Sequence, residues 1–260
     1  MDEYLVQALK LTTNYIATHS VGIVIRDRAG NTATGSSVCI RVGPHLLLAT
    51  AAHVIEDVLD SRIQLVPAGE LSQVPAPFEA RSCGPSRSAP ATDVAWFELD
   101  PAAARDLRFL ELSELRPSQL LDRERSFAIN GYPYESAIIT PSTADLEATV
   151  GMTKMADPQE HPRPLRSHEI ALEYPPRDAH GRPMTGVPHP KGVSGGGTWW
   201  QPRHDEYAVL SPERLRLVGV NTLWDKASSI LFATRIEYWL RLVAQDFPDA
   251  RHEIAAVRGA

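Results

Sequence analysis

The chain has 260 residues, 43% of them hydrophobic and 22% charged, so it can bury a substantial core and is neither a disordered nor a membrane-embedded sequence. A formal net charge of −6 and the lack of a long basic run argue against nucleic-acid binding, which rests on Lys and Arg neutralising phosphates. Two cysteines, Cys39 and Cys83, cannot build a disulfide scaffold or a four-ligand zinc site, and the opening MDEYLVQALK lacks the features of a secretory signal, so a cytoplasmic protein off the membrane is expected.

Tyr4, Leu5, Ala8, Leu11, Thr12, Tyr15 and Ile16 recur at helical spacing and predict an N-terminal helix over 1–17. Strand patterns follow in VGIVIRD, TGSSVCIRV, LLLATAAHV, IQLVPA and DVAWFEL, separated by turn-like RAGN and GPH, which makes 18–117 an all-β half. Cys39 lies inside one of these strands and reads as a buried thiol. The polar SELRPSQLLDRER is a linker, and 118–260 carries a second set of strands in SFAINGYP, LEATVGMT, SHEIALEYP, GGTWWQP and RLVGVNTLW. Residues 175–192, rich in proline and glycine, form a long irregular loop. After Thr234, read as a helix cap, Ile236, Trp239, Leu240 and Val243 predict a packed C-terminal helix.

The strongest chemical signal is HPKGVSGGGTWW. A serine among glycines sits where a tight turn exposes the hydroxyl and frees backbone amides to face a developing oxyanion; Ser194 is then the nucleophile, with the amides of Gly192 and Ser194 as the hole. A hydroxyl needs a base, and a base needs a carboxylate to fix its tautomer. His53, at the end of the apolar LLLATAAHV, and Asp93, opening DVAWFEL, supply both types. Taken singly, His53 reads as a core histidine and Asp93 as a strand-end turn residue. The chain order His, Asp, Ser joins them. No H-E-x-x-H or comparable pairing appears among the nine histidines, including His161, His168, His180 and His189, so no metal or other cofactor is expected. Trp199 and Trp200 are read as alternating between core and surface.

TAAHV, DVAWFEL and GVSGGG resemble the corresponding motifs of trypsin-like serine peptidases, and VGVNT is similar to a strand of the bacterial HtrA-like branch. The resemblance covers about residues 18–247. It implies two packed six-stranded antiparallel β-barrels with the triad in the cleft between them; as a departure from that branch, no trailing PDZ-type domain is expected. By the same resemblance Pro188 floors the specificity pocket, Thr222 lies behind Asp93, and Leu223 and Trp224 form the strand that pairs with a peptide substrate, Trp224 narrowing the pocket. With no acid at 188, cleavage after Arg or Lys is disfavoured and small or medium apolar residues are expected before the cut. A protein or peptide substrate is implied; apart from the resemblance, the glycine and proline content leads us to expect the loop around 186–193 to be disordered or misaligned until an activating protein partner or the substrate engages it. The other readings are a catalytically silent protein-binding module on the same fold and hydrolysis of small acyl esters.

Overall fold

A computed structural model of the chain describes residues 3–26, 32–55, 62–67, 72–73, 78–79, 86–117, 126–139, 143–176, 182–185, 187–201 and 212–259. Helix α1 (Glu3–Thr18) comes first, as its apolar spacing predicts. The first half then supplies β1 (Ser20–Arg26), β2 (Thr32–Val42), β3 (His45–Thr50), a single turn α2 (Ala52–Ile55), β4 (Arg62–Pro67), β5 (Ser72–Gln73), β6 (Phe78–Glu79), β7 (Ser86–Ala89) and β8 (Val94–Glu98). The second supplies β9 (Ser126–Gly131), β10 (Ile138–Ile139), β11 (Thr143–Asp145), β12 (Thr149–Lys154), β13 (Glu169–Glu173), β14 (Gly197–Trp200), β15 (Arg216–Asp225) and β16 (Ile230–Arg235), then α3 (Ile236–Asp246) and α4 (Arg251–Gly259).

Among the described residues the strands form a seven-stranded sheet in the order β6-β4-β1-β2-β3-β8-β7, a six-stranded sheet β12-β9-β14-β15-β16-β13, and a small sheet β10-β11-β5. Every pairing between named strands is antiparallel. The six-stranded sheet curls until its edges meet: Met155 bridges Leu172, and Ala156 N–H donates to Ala171 O at 2.9 Å. In the first sheet β6 and β7 remain unpaired with each other among the described residues. The architecture is thus mostly β with helices at both termini, and its first sheet has seven strands where six were expected.

Strand periodicity distributes the core. Along β8, Val94 and Trp96 point into one cluster and Ala95 and Phe97 into another; β2 and β3 divide in the same way, with Val38, Ile40, Leu47 and Ala49 on one face and Cys39 and Leu48 on the other. The shared cluster joins both sheets, since it also holds Ala128, Trp199, Leu217 and Val220 of the second sheet, Ile16 of α1, Trp239 and Val243 of α3 and Ile254 of α4. The cleft between the sheets is therefore braced from behind by one continuous apolar core. Trp199 belongs to this cluster and Trp200 to the core inside the second sheet, so both are buried, because β14 is a central strand covered on each face. The expected alternation of these two rings between core and surface does not hold.

Other sequence expectations are corrected here. Thr234 caps no helix: it is the penultimate residue of β16, its hydroxyl donates to Thr92 O at 2.6 Å, and α3 starts at Ile236 behind Arg235. The start of the presumed linker is packed, with Leu115 buried and bridging Leu217; residues 118–125 lie outside the described residues, as do Cys83 and His180. The chain ends on two helices, α3 and α4.

His45 fastens the C-terminal segment. Its Nδ1 lies 2.7 Å from Glu98 Oε1 and its Nε2 3.1 Å from Asp249 Oδ2, with the ring against Phe247. Burial works against its charge, but the two carboxylates outweigh that and raise its pKa above the ordinary 6.5. A raised folded-state pKa means that this stabilisation is full below the unfolded value and fades as pH climbs through the folded one. Urea unfolding should therefore show His45→Gln well below wild type at pH 5.5 and nearly level with it at pH 9; a gap independent of pH would disprove the coupling.

Candidate active site

The register of one strand pair creates the first half of the site. Thr50 of β3 pairs with Ala95 of β8, so the residues just beyond Thr50 lie opposite the residues just before β8. That places His53, on the short turn α2, beside Asp93, which precedes β8 in a turn closed by its amide on Pro90 O. Asp93 has φ +50°, a left-handed conformation that Asp tolerates better than most side chains. Its Oδ1 accepts the His53 backbone amide at 3.1 Å, and Oδ1 and Oδ2 lie 3.0 and 2.9 Å from His53 Nδ1. A carboxylate that accepts from Nδ1–H favours the ring tautomer whose Nε2 carries no proton.

The glycine turn forms the second half. Val193 N–H donates to Pro190 O, Gly196 N–H to Val193 O at 3.0 Å, and Gly195 N–H to Asn221 O at 2.7 Å. Lys191 O accepts Tyr134 N–H at 2.8 Å; a trans peptide then turns the Gly192 N–H the opposite way. Val193 O, tied to Gly196, orients the Ser194 N–H by the same rule. Among the described residues no hydrogen bond engages the amides of Gly192 or Ser194, while those of Val193, Gly195 and Gly196 are all used. The turn from 190 to 196 is hydrogen-bonded into one shape in this structure, and residue 186 lies outside the described residues.

Ser36 of β2 fixes this turn from the other sheet. Its N–H donates to Ser194 O at 2.8 Å, its hydroxyl donates to Gly192 O at 2.7 Å and accepts Tyr132 N–H at 2.9 Å, and its carbonyl accepts the Thr50 hydroxyl at 2.7 Å. Asn130 and Asn221 complete the clamp: Asn130 Oδ1 accepts from Gly197 N and Trp199 Nε1 at 2.9 and 2.8 Å, and Asn221 donates to Asn130 O at 2.9 Å while accepting the Thr198 hydroxyl at 2.7 Å. Ser36, Asn130 and Asn221 are all buried. Reasoning from the sequence did not reach them. The available signal was an asparagine in mid-strand in both SFAING and LVGVN, a poor strand former that is costly to bury unless it has partners.

Ser194 is half-buried, and its hydroxyl donates to Thr222 O at 3.3 Å. Thr222 also lines a small cavity with Asp93, although its own hydroxyl goes to Phe232 O at 3.2 Å and not to the carboxylate. Leu223 is exposed, and the Trp224 ring meets His189 edge to face at 4.9 Å. Pro188 gives its carbonyl to the Tyr174 hydroxyl at 2.6 Å and borders a cavity of about 710 Å³ shared with Val187, Val193 and Leu9 of α1. The structure thus joins His53 to Asp93 directly and places Ser194 against Thr222, which shares a cavity lining with Asp93. Among the described residues no group of His, Cys, Asp or Glu could hold a metal ion, and no helix is long and apolar enough to cross a membrane. Burial pushes the Cys39 thiol far up, so it stays protonated and inert.

No family model matches the chain, and no curated protein matches it in sequence. In structure it is similar to the HtrA-type protease AlgW with tripeptide, at a TM-score of 0.55 and 17% identity over 92% of this chain and 62% of that one. A serine endoprotease from Yersinia pestis (TM-score 0.54, 17% identity, 94% and 66% covered) and the active form of the Rv3671c protease from M. tuberculosis (0.52, 16%, 90% and 82%) are similar too. The chain therefore has the trypsin-like fold of the HtrA-type serine proteases. It spans 62% of the length of AlgW and 66% of the Yersinia protein.

A Cβ at Gly195 would lie 2.0 Å from Ser36 O on a backbone with φ +88°, a clash with main chain that no side-chain rotation relieves. Gly195→Ala should consequently lower Tm by several degrees or more, roughly the size of a lost buried hydrogen-bond network, whereas Ser194→Ala should leave Tm nearly unchanged. Equal melting of the two variants would mean that the turn is not held as described.

Proposed function

We propose that the protein is a serine endopeptidase that works through an acyl-enzyme, with His53, Asp93 and Ser194 as its triad in the cleft between two closed barrels, the second beginning near residue 118. The observation that supports this best is the carboxylate clamp on His53 Nδ1 combined with a serine turn whose 192 and 194 amides have no hydrogen bond among the described residues. A rotation about χ1 swings Ser194 Oγ from Thr222 O toward Nε2. Oγ then attacks the scissile carbonyl carbon as its proton passes to Nε2; the carbonyl oxygen takes the negative charge between the two amides. Collapse of that intermediate breaks the C–N bond, and the imidazolium returns its proton to the leaving amine. Water, deprotonated by His53, repeats the sequence and frees the acid. Asp93 stays ionised throughout and holds the imidazolium. The substrate is a protein or peptide, paired as an extended strand along Thr222–Trp224.

The Trp224–His189 contact spans the slot between the serine loop and that strand, and Pro188 contributes no charge. A small residue before the cut fits this slot best. On a peptide panel cleavage should favour Ala over Leu, with Arg and Lys poorest, and Trp224→Ala should extend acceptance to Leu and Phe. Preferred cleavage after Arg or Lys would refute this specificity.

Labelling with a fluorophosphonate, read by intact mass, tests the nucleophile. Wild type should gain one adduct and Ser194→Ala none, while Asp93→Asn should label slower by roughly 10⁴-fold because the imidazole tautomer is no longer fixed. No adduct on wild type would leave the chain a binding module on this fold, and an adduct on Ser194→Ala would place the reactive nucleophile at another residue.

A further inference from the structure

A second cavity, of about 210 Å³, opens directly beside Asp93, and its lining includes Leu223, Arg163, Arg166, His168 and Glu169. Both carboxylates around it are already engaged. Asp93 turns its two oxygens to His53. Glu169, buried, receives Arg163 Nη1 and Nη2 at 2.7 and 2.6 Å and the Arg166 amide at 2.8 Å, and these bonds hold its carboxyl below the ordinary carboxylate range although burial pulls the other way. Arg163 is thereby spent on Glu169. Arg166 is exposed, and among the described residues its guanidinium forms no ion pair. His168 registers the resulting field: burial first, then Arg166, Arg163 and Arg235, lower its pKa against the opposing pull of Glu169.

The cavity's position relative to the strand supplies its occupant. A peptide extended along Thr222–Trp224 sends alternate side chains to opposite sides. If the residue before the cut enters the slot at His189 and Trp224, the second and fourth residues before it project the other way, toward Leu223 and the cavity. We infer that this cavity is a subsite for an acidic side chain of the bound polypeptide, with the Arg166 guanidinium as its ionic partner and the exposed Leu223 covering the aliphatic stem. The inference rests on the proposed peptide-binding mode for its placement. It adds that the substrates are acidic upstream of a small residue.

The test uses the full chain and decapeptides with Ala before the scissile bond and Glu, Ala or Lys at the second and fourth residues before it. Affinity is read on Ser194→Ala by fluorescence anisotropy, and kcat/KM on wild type. The Glu peptides should bind about fivefold more tightly than the Ala ones and the Lys ones more weakly still, the size expected of a partly screened ion pair, with the preference shrinking as salt rises. Arg166→Glu, carried on an exposed side chain with Tm as the check on folding, should reverse the order to favour Lys. No Glu preference, no binding of any peptide, or the same preference in Arg166→Glu overturns the subsite. Because binding is measured without turnover, a wild type that binds Glu peptides selectively but neither cleaves them nor takes the fluorophosphonate upholds the subsite and sinks the peptidase reading.

Discussion

Everything in the candidate site hangs on the buried hydrogen bonds of Ser36. This one side chain and its backbone touch Gly192 O, Ser194 O, Tyr132 N and the Thr50 hydroxyl, so they link the strand leading to His53 with the turn carrying Ser194. A buried polar group left unpaired is costly, and here each partner is satisfied only in one arrangement of the two sheets. The network sets position more than it adds stability. Any relative slide of the sheets leaves several such groups unpaired at once.

Asn130 and Asn221 extend the same logic into the second sheet. Their amides bond across β9, β14 and β15 at the point where the glycine turn enters β14. The turn itself needs backbone conformations that only glycine adopts without strain, at 192 and 195, and it packs so closely that a methyl group would meet main-chain oxygen at either place. The two unengaged amides are the product: the carbonyls on either side of them are tied down, so the N–H groups are oriented before any ligand arrives.

Charge is arranged around this rigid centre with equal economy. Asp93 and Glu169 stand on the same small cavity, yet each is committed, the first to an imidazole and the second to an arginine fork. That leaves Arg166 as the cavity's arginine outside any ion pair among the described residues, with the exposed Leu223 of β15 in the same lining. At the other end of β3 the same pairing of histidine with carboxylates serves a mechanical purpose, where His45 ties Glu98 to the turn before α4. Environment, not residue type, separates these two histidines.

The helices at either end and most of the longer strands were legible in the sequence from local period, and the three residues proposed here as a triad were picked out by residue types that have few other uses. β16 was missed, since ILFATR runs into the apolar face of α3 without a turn signal and local pattern cannot say where the strand stops. The two-residue strands β5, β6 and β10 were missed because so short a segment has no period. Burial of both Trp199 and Trp200 was likewise hidden: alternation is a property of a half-covered strand, and only the sheet order makes β14 central. What the sequence determined by itself was the inventory, a serine in a glycine turn, a histidine after an apolar strand and an aspartate before another. The tertiary structure decided which amides remain unengaged, that Thr222 hydrogen-bonds to Phe232 instead of Asp93, and that Arg163 is neutralised while Arg166 is not, because each of these depends on partners brought together from distant parts of the chain.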